Sequence, residues 1–216
     1  MLIVSPLIIA LAIAGAILGL AADRLATRWP EHDEEHPPGR PIDWRTAVCG
    51  LFGAFAMGAA AVRFEADPLA LALFGAWFAT LVVGLATDLD QRVLPNVLTL
   101  PPIPIALVYA LSGQNPLVGS ELLPALAMAT IAPAALYVAS IPFGEGAFGQ
   151  GDVKLLVSVG LMSGGIRAFT GIVSGLFAAG IVLVVLLAFR RITRRTYVPY
   201  GPFLIFGAVW GIVVRP

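Results

Sequence analysis

Long apolar runs separated by short polar breaks dominate the chain. The runs are Leu2–Ala22, Thr46–Val62, Leu69–Thr87, Val97–Leu111, Leu122–Ser140, Val153–Met162, Ile166–Phe189 and Gly201–Val214. A helix needs about 20 residues to cross a bilayer, and the longer runs meet that length. They are rich in Gly and Ala, and small residues let helices approach closely in lipid. The pattern predicts an all-α, polytopic membrane helix bundle forming one domain over residues 1–216. Leu2–Ala22 has the length of a signal peptide, but it lacks a basic start and further spans follow. It is read as a retained first helix.

The breaks carry the polar residues. Pro37, Pro38 and Pro41 make Glu31–Asp43 a loop, within a short polar connection over residues 23–45. Arg63, Glu65 and Asp67 form a turn, as does Gly113–Ser120. Pro101, Pro102 and Pro104 predict an irregular start to the fourth run, and Phe143–Gly151 reads as a glycine-rich loop. Irregular backbone at membrane depth is tolerated only where protein or a water-filled cavity supplies partners.

The short sixth segment decides the topology. Val153–Ser163 covers only roughly 16 Å at helical rise, against a hydrocarbon core of about 30 Å. Counting it as a crossing gives eight segments with both termini outside. Arg24, Arg28, Arg40, Arg45, Arg92, Lys154, Arg190, Arg191, Arg194 and Arg195 then face the cytoplasm, leaving only Arg63, Arg167 and Arg215 outside. That asymmetry follows the positive-inside tendency. Dropping the crossing sends the four-arginine cluster outside. The expected location is the inner (cytoplasmic) membrane, with membrane lipids as surroundings.

Composition supports this reading. Mean hydropathy is +0.92 and charged residues are 12% of the chain, about half the share usual in soluble domains. Acidic and basic residues balance at 13 each. No basic tract provides the footprint a nucleic acid needs. Cys49 is the only cysteine, so an intramolecular disulfide and a Cys-x-x-Cys metal site are both excluded.

Two polar stretches lie between apolar runs: Asp88-Leu89-Asp90-Gln91-Arg92-Val93-Leu94-Pro95-Asn96 and Gly149-Gln150-Gly151-Asp152-Val153-Lys154. Acids at the ends of membrane segments invite a functional explanation. In the eight-segment topology Asp88 follows a descending segment and Asp152 precedes a rising one, so both reach one membrane face. Two close carboxylates in a partly dry site do not both ionise cheaply. One can activate water while the other protonates or polarises a carbonyl, which is amide hydrolysis without a covalent intermediate. Such a titration belongs to the pair. Gly149 and Gly151 allow a tight turn and close approach of substrate backbone, and Lys154 is placed to hold an acidic partner or a lipid phosphate. The plainer readings are that Asp152 caps a helix, that Asp88 is a solvated helix end, that Asp90 is structural and that Arg92 is a topology anchor.

The two stretches together resemble the prepilin peptidase family of aspartyl membrane proteases, the type IV leader peptidases. The family's Gly-x-Gly-Asp element is matched by Gly149-Gln150-Gly151-Asp152 followed by Val153-Lys154-Leu155-Leu156. Its first catalytic Asp, ahead of a Leu/Ile-Pro-Asn/Asp element, is matched by Asp88 ahead of Leu94-Pro95-Asn96. Val198-Pro199-Tyr200-Gly201-Pro202-Phe203-Leu204 is similar to the family's Pro-Phe-Gly-Pro-Phe turn. The resemblance implies that Asp88 and Asp152 are catalytic, with Gly149, Gly151, Lys154, Arg92, Pro95 and Asn96 shaping the site or binding substrate. It implies cleavage of the basic leader of type IV pilin-like precursors at the cytoplasmic face, after a Gly and before the apolar helix of the mature subunit. The products serve pili or type II secretion. The aspartyl mechanism needs no metal.

The chain departs from larger members in one place. These usually carry a cytoplasmic loop with paired Cys-x-x-Cys elements after the first helix and commonly methylate the new N-terminus with S-adenosylmethionine. Here the loop is short and has no cysteine. The family's Arg-x-x-x-Glu pattern is half met, with Arg45 present and Cys49 at the acidic position. These departures argue against methyl transfer, although a missing cysteine loop does not by itself exclude it. S-adenosylmethionine enters only if that activity is retained. His32 and His36 are spaced i,i+4, but the following prolines favour a hydrated acidic loop over a metal site.

Other function classes fit less well. A transporter or channel would place these charges on an ion or substrate path, but the sequence has no convincing inverted repeat. A noncatalytic pilus or secretion assembly factor would not need both acids. A presenilin-type protease shares Gly-x-Gly-Asp but has Tyr-Asp where this chain has Thr87-Asp88. The glycines miss the dinucleotide fingerprint, and no Gly-x-Ser-x-Gly nucleophile element occurs.

Overall fold

A computed structural model describes residues 5–32, 34, 37–141, 149–191 and 199–214. The elements in chain order are α1 (Pro6–Ala26), α2 (Trp44–Phe64), α3 (Pro68–Gln91), α4 (Asn96–Thr99), α5 (Pro102–Leu111), α6 (Leu122–Ser140), α7 (Gln150–Ser163), α8 (Gly165–Ala188) and α9 (Gly201–Val214). The described residues are all-α. α1, α2, α3, α6 and α8 are long and apolar enough to cross a membrane, and Asn96–Leu111 and Gly201–Val214 are shorter apolar stretches. This is the bundle of a polytopic membrane protein.

Local chemistry fixes the helix ends. Ser5 caps α1, its hydroxyl accepting the Leu7 N–H, with Pro6 in the first turn. Asp43 caps α2 and Asp67 caps α3, each carboxylate accepting a backbone N–H that lacks a helical partner. α3 stops at Arg92, whose φ of 57° is left-handed.

Packing relies on missing side chains. α1 and α2 meet at Gly15 and Gly53, where a Cβ on either would strike the other's carbonyl oxygen. Gly171 of α8 and Gly207 of α9 meet in the same way. With lipid as apolar as the helices, such close backbone contact is a main source of association. The inner layer is aromatic: Phe74 stacks on Phe64 at 4.3 Å between ring centres and meets Trp77, Phe78 and Tyr109 edgewise or at longer range. The Trp77 indole donates to Ser158 Oγ at 3.3 Å, tying α3 to α7. Ile9, Ile13 and Ile17 of α1 and Phe177, Ile181 and Val184 of α8 remain exposed, as lipid-facing positions should.

The structure corrects several boundaries. α2 and α3 are longer than their apolar runs. α3 continues through Asp88, Asp90 and Gln91, so both acids are helical instead of following the helix. It can do so because these polar side chains are buried against protein. The sixth segment starts within the Gly-x-Gly-Asp motif, not after it: α7 has 14 residues, roughly 21 Å. The N-cap is Gly149 and Asp152 sits in the first turn, where its Oδ2 accepts the Gly149 N–H at 3.2 Å. The fourth run is broken into α4 and α5 at Leu100–Pro101, because prolines at 101, 102 and 104 remove donors from a continuous helix. Most of the expected Phe143–Gly151 loop lies outside the described residues, as do Arg194, Arg195 and His36.

Candidate active site

The end of α3, the first turn of α7 and the start of α9 enclose one small pocket. Asp88, Arg92, Leu94, Gly149, Gly151, Asp152, Pro199 and Tyr200 line it. Two stretches that are 64 residues apart at their acids therefore share one site. Asp88 is 5% exposed and Asp152 8%. Asp88 Oδ2 and Asp152 Oδ1 are buried and have no hydrogen-bond partner among the described residues. Leaving a buried polar atom unpaired costs about 1–3 kcal/mol, and more when it is charged. Such an atom in a pocket wall calls for an explanation.

Glycines make the convergence possible. A Cβ at Gly201 would lie 2.5 Å from Asp88 Oδ2 and 2.8 Å from its Cγ. The α9 backbone is thus seated directly on the Asp88 carboxyl group. A Cβ at Gly151 would lie 2.6 Å from Leu94 Cβ and 2.9 Å from Leu94 O. Gly151 therefore brings α7 down onto the Leu94-Pro95-Asn96 element. The same junction carries a hydrogen bond from Lys154 Nζ to Asn96 Oδ1 at 2.7 Å, and Pro95 precedes α4 as its N-cap residue. Gly149 contributes its N–H to Asp152.

Of the residues expected at the site, Asp88, Asp152, Gly149, Gly151 and Arg92 line the pocket itself. Lys154, Asn96 and Pro95 belong to the junction beside it. Lys154 meets an amide oxygen there, not an acidic group. Gly201 was absent from the expected site residues, yet it bears on Asp88. The turn resembling Pro-Phe-Gly-Pro-Phe was its sequence signal.

Asp90 belongs to a different environment. It is buried, and its Oδ1 accepts from Arg40 Nε at 2.6 Å and Arg45 Nη1 at 3.4 Å, with His32 Nε2 3.5 Å from Oδ2. Arg40 also reaches Asp23 of α1 and Asp43 of α2, each at 2.5 Å. Burial works against the Arg40 charge, but the hydrogen bonds to Asp90 and Asp23 outweigh it and raise its pKa above the ordinary guanidinium value. Among the described residues, no group of three or more His, Cys, Asp or Glu side chains is arranged to hold a metal ion. Cys49 is fully buried, and its carbonyl packs where a Cβ on Gly19 would fall.

Comparison with known proteins bears on the same segments. Two relatives, both named Prepilin leader peptidase/N-methyltransferase and from Aeromonas salmonicida and its strain A449, are each 27% identical over 133 residues. The match covers 57% of this chain and 44% of each relative, so the chain spans under half the length of the curated relatives it matches. No solved structure matches. The model of the Type IV leader peptidase family matches residues 73–190, which include both pocket aspartates and more than half of the chain. The chain belongs to the type IV leader peptidase family.

Proposed function

We infer that this protein is an aspartic endopeptidase that removes the basic leader from type IV pilin-like precursors. The observation that carries the reading is the pair of buried carboxylates, Asp88 and Asp152, lining one pocket, each with an oxygen that has no partner among the described residues. In this mechanism the pair shares one proton. The ionised member takes a proton from water, the water oxygen attacks the scissile carbonyl carbon, and the protonated member donates to the carbonyl oxygen. Collapse of the tetrahedral species breaks the C–N bond. The aspartate that took the water proton gives it to the leaving nitrogen, and the other takes a proton back from a hydroxyl of the tetrahedral species, which restores the pair.

The proposed topology has eight crossings, with α4–α5, α7 and α9 as short ones and the pocket at the cytoplasmic face. It is supported by the alternation of basic residues along the chain. The proposed substrate presents a basic leader to the cytoplasm and an apolar helix to the bilayer. Methyl transfer is not part of this reading. Cys49 is fully buried and offers no carboxylate, and the connection before it has no cysteine; these two features support leaving methyl transfer out.

Co-expression with a pilin-like precursor tests the reading. A shorter product beginning just after a Gly, with the mass of an unmethylated N-terminus, is the expected result. A precursor that stays whole would overturn the peptidase assignment, and an added methyl group would show that methyl transfer is retained.

A further inference from the structure

Three carboxylates from three helical elements converge on the guanidinium of Arg40, which itself lies on the connection between α1 and α2. Asp23 comes from the last turn of α1, Asp43 from the cap of α2 and Asp90 from the last turn of α3. Asp23 and Asp90 are buried, at 0% and 6% exposure. The other oxygen of Asp23, Oδ2, accepts from Thr46 Oγ1 at 2.7 Å and from Arg24 Nε at 2.9 Å. Beside this knot the Gln91 amide donates to Ala26 O at 3.0 Å and Pro30 O at 3.3 Å. Two consecutive residues at the end of α3 are thus fastened to α1 and to the connection.

Asp88 is two residues from Asp90, so at helical geometry their side chains leave α3 about 200° apart. One face of the last turn is gripped by Arg40, and the other presents Asp88 to Gly201 and to the pocket shared with Asp152. Past Arg92 the chain leaves the helix in a left-handed turn and passes beneath Gly151. The end of α3 therefore has one fixed side and one working side.

We propose that Arg40 is a positioning residue for the Asp88–Asp152 pair, its three-way contact with Asp23, Asp43 and Asp90 setting the rotation of the last turn of α3. The role rests on the peptidase reading above. A lysine keeps the charge at this position but cannot reproduce a planar fork that serves three carboxylates at once. A small misplacement of a reacting group costs rate out of proportion to the energy that holds it.

The experiment uses the full chain in lipid nanodiscs, comparing Arg40→Lys and Asp90→Asn with the unaltered protein. Precursor cleavage gives kcat and KM, and hydrogen exchange is followed along the chain. The expected result in both variants is a fall in kcat on the order of tenfold or more with KM held within about twofold. Exchange should speed up at residues 85–92 and stay unchanged in α8 and α9. Unaltered kcat, or unaltered exchange at the end of α3, would overturn the proposal. Faster exchange throughout the bundle would also overturn it, since Arg40 would then support general stability only. If the unaltered protein leaves its precursor whole, the peptidase reading fails and the catalytic role of Arg40 falls with it. The exchange data then still decide whether Arg40 grips α3.

Discussion

Asp88 and Asp90 stand two residues apart in the same helical turn, both almost fully buried, and they have opposite surroundings. Asp90 is saturated: two arginines and a histidine surround it, and its helix is tied to two others through it. Asp88 has a glycine backbone pressed against its carboxyl group, a second aspartate across a small pocket and an oxygen with no hydrogen-bond partner among the described residues. Removing one member of a satisfied buried ion pair destabilises a protein by leaving the rest uncompensated. An unsatisfied carboxylate lowers the stability of the fold as it stands, and it is kept where a substrate or a water will complete it. The contrast separates an acid that holds the structure from the one proposed to carry the chemistry.

The contrast can be broken at several points. Gly201→Ala places a methyl group 2.5 Å from Asp88 Oδ2, and overpacking of this kind costs about 1–3 kcal/mol. If that strain falls on the reacting carboxylate, cleavage drops on the order of tenfold to a hundredfold while the protein still inserts, read by product formation against membrane-fraction yield. Gly53→Leu is its counterpart far from the pocket. It should force α1 and α2 apart, cost about 1–3 kcal/mol of stability in a detergent unfolding assay and leave the kcat of the surviving folded protein near its original value. Lys154→Ala removes one exposed hydrogen bond to Asn96. An exposed contact of this type contributes about 0–1 kcal/mol, so cleavage should fall by no more than roughly fivefold. A larger loss would move Lys154 from the junction into the reaction itself.

Much of the bundle was legible from periodicity and composition, because the residues that build it are the residues that avoid water. Leu122–Ser140 and Gly201–Val214 emerged with the bounds their apolar runs suggested. The ends of α3 and α7 were not legible in that way. Asp88, Asp90 and Gln91 read as a polar stretch after an apolar run, but contacts from α1, Arg40 and Arg45, and Gly201 of α9 let the helix continue through them. Asp152 read equally well as a cap, and only the Gly149 N–H on its carboxylate places it inside the first turn. The two aspartates were singled out by their position between apolar segments. Arg40 and Asp23 were not, since the first looked like a topology marker and the second like the first residue of a polar connection, whereas α1 runs through it to Ala26. Their meeting depends on the path of the 27–43 connection, which carries no periodic pattern.

The most direct test of the central claim is cleavage of a pilin-like precursor by Asp88→Asn, Asp152→Asn and Asp90→Asn, each purified in nanodiscs and matched for folded protein. The account predicts that either pocket substitution lowers the rate on the order of a hundredfold or more, while Asp90→Asn leaves a slower but measurable enzyme. Cleavage at the unaltered rate by Asp88→Asn or by Asp152→Asn would contradict it.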